Sequence, residues 1–298
     1  MITLDKTKIL RNHSLGEGSY GQVFPYGKNL EEAKWAIKQL FPRHTDELLL
    51  VMQEIVLGFS CNHHSIVPMI GYFLEKNPDA GPDAWYVYIK LPRLKHNLRK
   101  IIKNIKNPEY NKIPKEDIIQ YLYTLTSALI YLHDRRIAHR DIKPDNILVD
   151  EDGKVKLTDI GAAQFFPEGD PSLLEKPGGT PFYMSPELCL FDENNPLTRS
   201  DLYKCDIWSL GIVATELCLI KPKIVSSQFA IEKKRDIVNE NLLHIEQRYD
   251  KKFAAIIRKM LCFDKHERIS AHELHQLLKD AYPNILVSLF GLNKDQHK

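Results

Sequence analysis

The stretch His139-Arg140-Asp141-Ile142-Lys143-Pro144-Asp145-Asn146 and the later Asp159-Ile160-Gly161 hold the residues of this chain best suited to chemistry. Hard divalent cations take carboxylate and amide oxygens and complete their shell with water and phosphate, so few protein ligands are needed. Asn146 and Asp159 supply that minimum. Asp141 is placed to orient an attacking hydroxyl and accept its proton, and Lys143 to neutralise charge on a transferred group. Asp145, beside them, offers a carboxylate that would favour a basic residue near the acceptor.

This chemistry requires elements that bring the two stretches together. Ile147, Leu148 and Val149 read as a short buried strand, Asp152-Gly153 as a hairpin turn, and Val155 and Leu157 as the inward positions of a returning strand. A fold-back centred between Asp152 and Gly153 sets Asn146 opposite Asp159. Upstream, Pro114 to Asp134 carries Ile118, Ile119, Leu122, Leu125, Ala128, Leu129 and Leu132 at helical spacing, a core helix leading into the first stretch. Downstream, Ile207 to Leu217 is apolar nearly all round, as a buried helix is.

Near the N-terminus, Gly16-Glu17-Gly18-Ser19-Tyr20-Gly21-Gln22-Val23 is a G-x-G-x-x-G-x-V pattern. Alone it is weak, because dinucleotide-binding folds use a similar one with a helix after the last glycine. Here Val23, Phe24 and Tyr26 continue as a strand, Gly27-Lys28-Asn29 is a turn, and Trp35-Ala36-Ile37 begins another strand. Such a strand-turn-strand flap lets side-chain-free backbone close over triphosphate oxygens. Lys38 ends the second strand among apolar residues and needs a counter-charge. Thr45 to Phe59 reads as a helix with Thr45 at its N-cap and Leu48, Leu49, Met52, Ile55, Val56 and Phe59 as its apolar face. Glu54 sits among them, an acid that also needs a partner.

At 298 residues and 43% hydrophobic, the chain can bury a full core as one large domain or two joined lobes. A net charge of +2 gives no electrostatic case for nucleic acid. The densest basic run, Lys90 to Lys106, is interrupted by leucines and isoleucines at near-helical spacing and reads as a solvated helix face. Five cysteines without a C-x-x-C pair fit a reduced intracellular, cytoplasmic compartment, with export into a host left open. Cys61, His63 and His64 lack a second ligand pair for zinc. No run is long and apolar enough for a membrane span, and no secretory leader is evident.

These motifs resemble the protein kinase family, whose catalytic loop is H-R-D-x-K-x-x-N and whose metal motif is usually D-F-G. The resemblance implies that Glu54 rather than Glu47 pairs with Lys38 and holds it against the nucleotide phosphates. It implies that Gly16, Glu17, Gly18, Ser19 and Gly21 cover the phosphates, that Val23, Ala36 and Leu148 sandwich adenine, and that Ile89 lies behind it. Lys90-Leu91-Pro92 resembles the adenine-binding hinge. Gly179 to Glu187 is similar to the substrate-docking loop; Lys143, two residues beyond Asp141, together with Thr180 matches serine/threonine rather than tyrosine kinases. Glu187 with Arg268 is implied as a structural ion pair, and Asp206 as an acceptor for the catalytic-loop backbone. Arg140 would capture a phosphate on the activation segment, where Ser172 is the only hydroxyl between Asp159 and Thr180.

Three positions depart from the pattern. Ser185 stands for the alanine of the A-P-E that ends the docking loop. Ile160 replaces the phenylalanine of D-F-G, and Gly58 stands where a bulky residue commonly packs on it, a space for Leu57 or Phe59 to fill. The expectation is an α+β bilobal fold: an N-lobe of mostly antiparallel strands with one key helix (about 1–90), a hinge (about 90–93), a larger helical C-lobe (about 94–280) and a short extension (281–298). The expected activity is transfer of the γ-phosphoryl of ATP to protein serine or threonine, with Mg²⁺ (or Mn²⁺ in its place) held by Asn146 and Asp159. The alternatives are a pseudokinase scaffold and a small-molecule phosphotransferase of related fold, which would lack the Thr180-to-Glu187 loop and Arg268. The oligomeric state and substrate are not legible.

Overall fold

The computed structural model describes residues 4–18, 21–105, 112–168, 178–192, 194, 196–223 and 231–290. Ser19 and Ser172 lie outside the described residues. The chain divides into two compact units, Met1–Lys95 with Thr158–Gly161, and His96–Leu157 with Ala162–Lys298.

The first unit is an antiparallel sheet with one helix. In chain order it comprises β1 (Gly16–Gly18), β2 (Gly21–Tyr26), β3 (Trp35–Leu40), α1 (Thr45–Ser60), β4 (Gly71–Lys76) and β5 (Trp85–Pro92), with strand order β1-β2-β3-β5-β4. A cluster of Leu40, Val51, Ile55, Val87 and Ile89 holds α1 on one sheet face, and Ile9, Phe24, Ile37 and Tyr88 cover the other. The β1–β2 pairing starts at Gly18 with Gly21, which crosses β3 so closely that a Cβ on it would overlap the carbonyl oxygen of Gln39. Only glycine fits there.

Helix α1 departs from the expected face and cap. Val51, Glu54, Ile55 and Gly58 are its buried positions, whereas Leu49, Val56 and Phe59 are exposed. His44 is the N-cap, and Thr45 is the first helical residue; the helix entry is held instead by the Glu47 carboxylate, which accepts from Arg43 N–H at 2.8 Å. At Gly58, Met69 takes the space a side chain would need, so closely that a Cβ on Gly58 would overlap its sulfur.

The second unit is mainly helical: β6 (His96–Asn97), α2 (Leu98–Asn104), α3 (Lys115–Asp134), β7 (Ile137–Ala138), β8 (Ile147–Val149), β9 (Val155–Leu157), β10 (Gln164–Phe165), α4 (Pro186–Cys189), α5 (Arg199–Leu219), α6 (Ile231–Arg248), α7 (Lys251–Met260), α8 (Ala271–Ala281) and α9 (Pro283–Phe290). Nearly every residue of α5 from Cys205 to Cys218 is buried, as its uniform apolarity requires. It begins seven residues before Asp206, where Thr198 and Asp201 form a reciprocal capping box.

The basic run from Lys90 is not one solvated helix face. Lys90 belongs to β5, its ammonium over the rings of Trp35 at 4.5 Å and Tyr26 at 5.5 Å. Arg93 donates to the carbonyls of Leu30 and Ala33, and among the described residues of the run only Leu98–Asn104 is helical. Among the described residues no helix is long and apolar enough to cross a membrane.

Candidate active site

The catalytic stretch leaves β7 and turns sharply at Arg140, whose φ of 69° is a left-handed conformation costly for a residue with a Cβ. Asp206, buried in α5, holds that turn. Its Oδ2 accepts from the His139 N–H at 2.9 Å, its Oδ1 from the Arg140 N–H at 2.8 Å, and Oδ2 also meets His133 Nε2 at 2.9 Å. The buried helix thus fixes the loop backbone through one carboxylate.

On that loop, Asp141 Oδ1 accepts the Thr180 hydroxyl at 2.7 Å. Lys143 Nζ donates to Thr180 Oγ1 at 2.8 Å and lies 2.7 Å from Asp141 Oδ2. Asn146 Nδ2 donates at 2.9 Å to both the backbone carbonyl and Oδ2 of Asp141. A carboxylate already holding a hydroxyl, flanked by an ammonium, can align an alcohol, take its proton and stabilise charge on a group passing to it. Because the amide nitrogen of Asn146 is committed to Asp141, its oxygen is the atom left to ligate a hard cation.

Asp159, in the first unit, also has a left-handed backbone, at φ 61°. Its Oδ1 accepts from Lys38 Nζ at 2.7 Å and from the Gly161 N–H at 3.3 Å. The same ammonium reaches Glu54 Oε1 at 2.7 Å, so Glu54, not Glu47, is the lysine's partner on α1. Burial alone would lower the Lys38 pKa, but the charges of Asp159 and Glu54 raise it overall. Glu54 is also raised, first by burial and then by the repulsion of Asp159, against the pull of Lys38.

The hairpin register corrects the sequence reading by one residue. Ile147 pairs with Leu157 and Val149 with Val155, so the fold-back centres on Asp152 and Asp159 is not in register with Asn146. Three residues form the loop rather than two: Asp150 N–H bonds the Lys154 carbonyl, the Asp150 carboxylate accepts from the Asp152 and Lys154 N–H groups, and Gly153 supplies a φ of 77°.

Of the other candidates, Val23 lies on β2 and Ala36 on β3, with Ala36 opposite Leu91 and Lys38 opposite Ile89. The Lys90 carbonyl is used by the Ile70 N–H at 2.9 Å, and the Arg93 N–H by the Lys34 carbonyl at 2.9 Å. Leu148 sits in β8 and Glu17 in β1. Glu187 and Arg268 form a two-pronged ion pair, 2.6 and 2.9 Å, with the guanidinium fully buried. Arg140 is largely buried, donates to Gln164 Oε1 at 3.1 Å, and its pKa is lowered by that burial.

Sequence reasoning missed Arg99, Tyr183 and Glu216, which join beside the catalytic loop. Arg99 Nη1 donates to Glu216 Oε1 at 3.0 Å, and Tyr183 Oη to Glu216 Oε2 at 2.8 Å. The available signal was Glu216 itself, the one charged residue in the otherwise uncharged run Ile207 to Leu217.

Comparison with known proteins shows the family. The model described as "Protein kinase domain" matches residues 9–281. The chain is 29% identical to serine/threonine-protein kinase pakH of Dictyostelium discoideum over 95% of this chain and 52% of that protein. It is 29% identical to serine/threonine-protein kinase SSN3 of Phaeosphaeria nodorum, over 75% and 49%, and 32% identical to Misshapen-like kinase 1 of Rattus norvegicus, over 68% and 15%. The chain spans about half the length of the first two relatives.

Proposed function

Because the chain belongs to the protein kinase domain family, we propose that it transfers the γ-phosphoryl group of ATP to serine or threonine hydroxyls of protein substrates. The observation that carries this reading is the contact of Asp141 with a hydroxyl and an ammonium, Thr180 and Lys143, at 2.7 Å each. In the reaction the acceptor oxygen forms a bond to the γ-phosphorus while the bond to the β-bridging oxygen breaks and ADP leaves. The acceptor proton passes to Asp141, and Lys143 stabilises the charge on the transferred group. Lys38, fixed by Glu54, holds the α- and β-phosphates beneath the backbone of Gly16, Gly18 and Gly21.

The family uses ATP and typically a divalent metal. We assign Mg²⁺ to the Asn146 amide oxygen and the Asp159 carboxylate, a donor set suited to a hard cation, which would neutralise phosphate charge. For adenine, the alternation of β5 points past Lys90, whose carbonyl is spent, to the Pro92 carbonyl and Leu94 N–H. Leu91, opposite Ala36, then takes the place behind the base in preference to Ile89. The family match spans both units, which supports reading them as parts of one kinase domain. Five free thiols support a reducing, cytoplasmic setting.

Incubation with γ-labelled ATP, Mg²⁺ and a generic protein substrate tests the reading. Labelling on serine or threonine, abolished by EDTA and by Asp159→Asn, is expected. Absence of labelling with ATP still bound would favour a pseudokinase scaffold.

A further inference from the structure

The sequence suggests that Asp145, next to the catalytic loop, draws a basic residue to the acceptor, but its carboxylate already has a cation. Asp145 Oδ2 accepts from Arg99 Nε at 3.1 Å. The same guanidinium bonds Glu216 through Nη1 and the Tyr183 hydroxyl through Nη2. Its three nitrogens thus address three partners. The Glu216 side chain is 8% exposed and that of Asp145 45%, so the pair forms a notch with a buried floor and an open rim.

The notch is tied to the acceptor position by two chain links. Asp145 precedes Asn146, which bonds Asp141, and Tyr183 lies in the single helical turn after Thr180, whose hydroxyl rests on Asp141. The Asn97 side chain caps the helix bearing Arg99, accepting from the Lys100 N–H at 2.9 Å, and donates to the Asp145 carbonyl at 3.4 Å. Arg99 is therefore anchored from its own helix as well as by the acids. Without it, two carboxylates beside the acceptor would present a doubly negative site suited to a substrate arginine or lysine.

We propose that Arg99 is a specificity-determining residue: it fills the Asp145–Glu216 notch from within the chain, so that acceptor peptides are selected without a basic residue near the phosphorylated hydroxyl. The proposal rests on the phosphotransfer reading above. It is a matter of charge occupancy, so an ammonium at the same position should serve nearly as well as the fork.

The test is a positional-scanning peptide array phosphorylated with ATP and Mg²⁺ by the whole chain, as wild type, Arg99→Met and Arg99→Lys, each profile normalised to its own total. The wild type and Arg99→Lys should show no enrichment for arginine or lysine at any position flanking the acceptor. Arg99→Met, which keeps the apolar stem, should gain about tenfold preference for a basic residue at one flanking position, equivalent to about 1.4 kcal/mol. Enrichment for basic residues by the wild type overturns the proposal whether or not the variants fold. So does an unchanged profile in folded Arg99→Met, or the same gain in Arg99→Lys. A wild type that labels no peptide refutes the phosphotransfer reading, and the proposal with it.

Discussion

Replacing Arg268 by methionine should destabilise the protein by about 4 kcal/mol at pH 7, and the loss should shrink in acid. The side chain is fully buried and makes four hydrogen bonds: two to Glu187, one from Nε to the Cys262 carbonyl and one from Nη1 to the Lys204 carbonyl, both at 2.9 Å. It also lies 5.0 Å over the Trp208 ring. Methionine fills much of the volume but leaves Glu187, whose side chain is 10% exposed, as a buried charge without its cation. Breaking a buried pair from one side costs about 3–5 kcal/mol for that reason. In the wild type, burial pushes the Glu187 pKa up, but the Arg268 hydrogen bonds and charge outweigh it, and the result is lowered from 4.5. A depressed folded-state pKa contributes stability that is present above the unfolded value and lost as pH falls through the folded one. In Arg268→Met, burial acts unopposed and the shift reverses, so Glu187 contributes most below the unfolded value and progressively less as pH rises. The gap between the proteins therefore widens from about pH 4 to 7. Urea unfolding at several pH values measures it, and Glu187→Gln in the Arg268→Met background should recover roughly half the loss at neutral pH. A gap independent of pH, or below about 1 kcal/mol at pH 7, would refute the reasoning.

Met69→Ala should cost about 2–4 kcal/mol and Gly58→Leu about 1–3, while the double variant should be more stable than their sum predicts by at least about 1 kcal/mol, read from thermal or urea unfolding. Additive losses would mean that the two positions do not share one space. Asp206→Ala removes the acceptors for His133 and for the N–H groups of His139 and Arg140; it should lower stability by about 3 kcal/mol and kcat more than KM, measured by steady-state kinetics. Leu91→Ala should admit an ATP analogue carrying a benzyl group on the adenine amine, whereas Ile89→Ala should not; the reverse result would return the place behind adenine to Ile89.

What the sequence made legible was what short motifs and their resemblance carry. Asp141 and Lys143 lie together because the loop motif is short and contiguous, and the resemblance named Glu54 as the partner of Lys38. The reach of Lys38 to Asp159 and the seat of the Thr180 hydroxyl on Asp141, 39 residues away, emerge only with folding. Helices α3 and α5 followed from periodicity, since they bury the apolar residues their patterns mark. The errors came where a side-chain contact that no periodicity marks decided the outcome. Asp150, by accepting two N–H groups, lengthened the loop and moved the hairpin register by one. Met69 claimed the space at Gly58, and no periodicity within α1 could reveal a side chain from outside it. Asp145 read as an open anion because Arg99 lies 46 residues away, across a pairing visible only once the chain is folded.

The central claim is that Asp141 aligns and deprotonates an acceptor hydroxyl. Its most direct test is the rate of γ-phosphoryl transfer to a serine peptide by the wild type and Asp141→Asn, with ATP affinity measured on the same preparations. The account predicts a fall in kcat of about 10²–10⁴-fold with nucleotide affinity little changed. Equal transfer rates in the two proteins would contradict it.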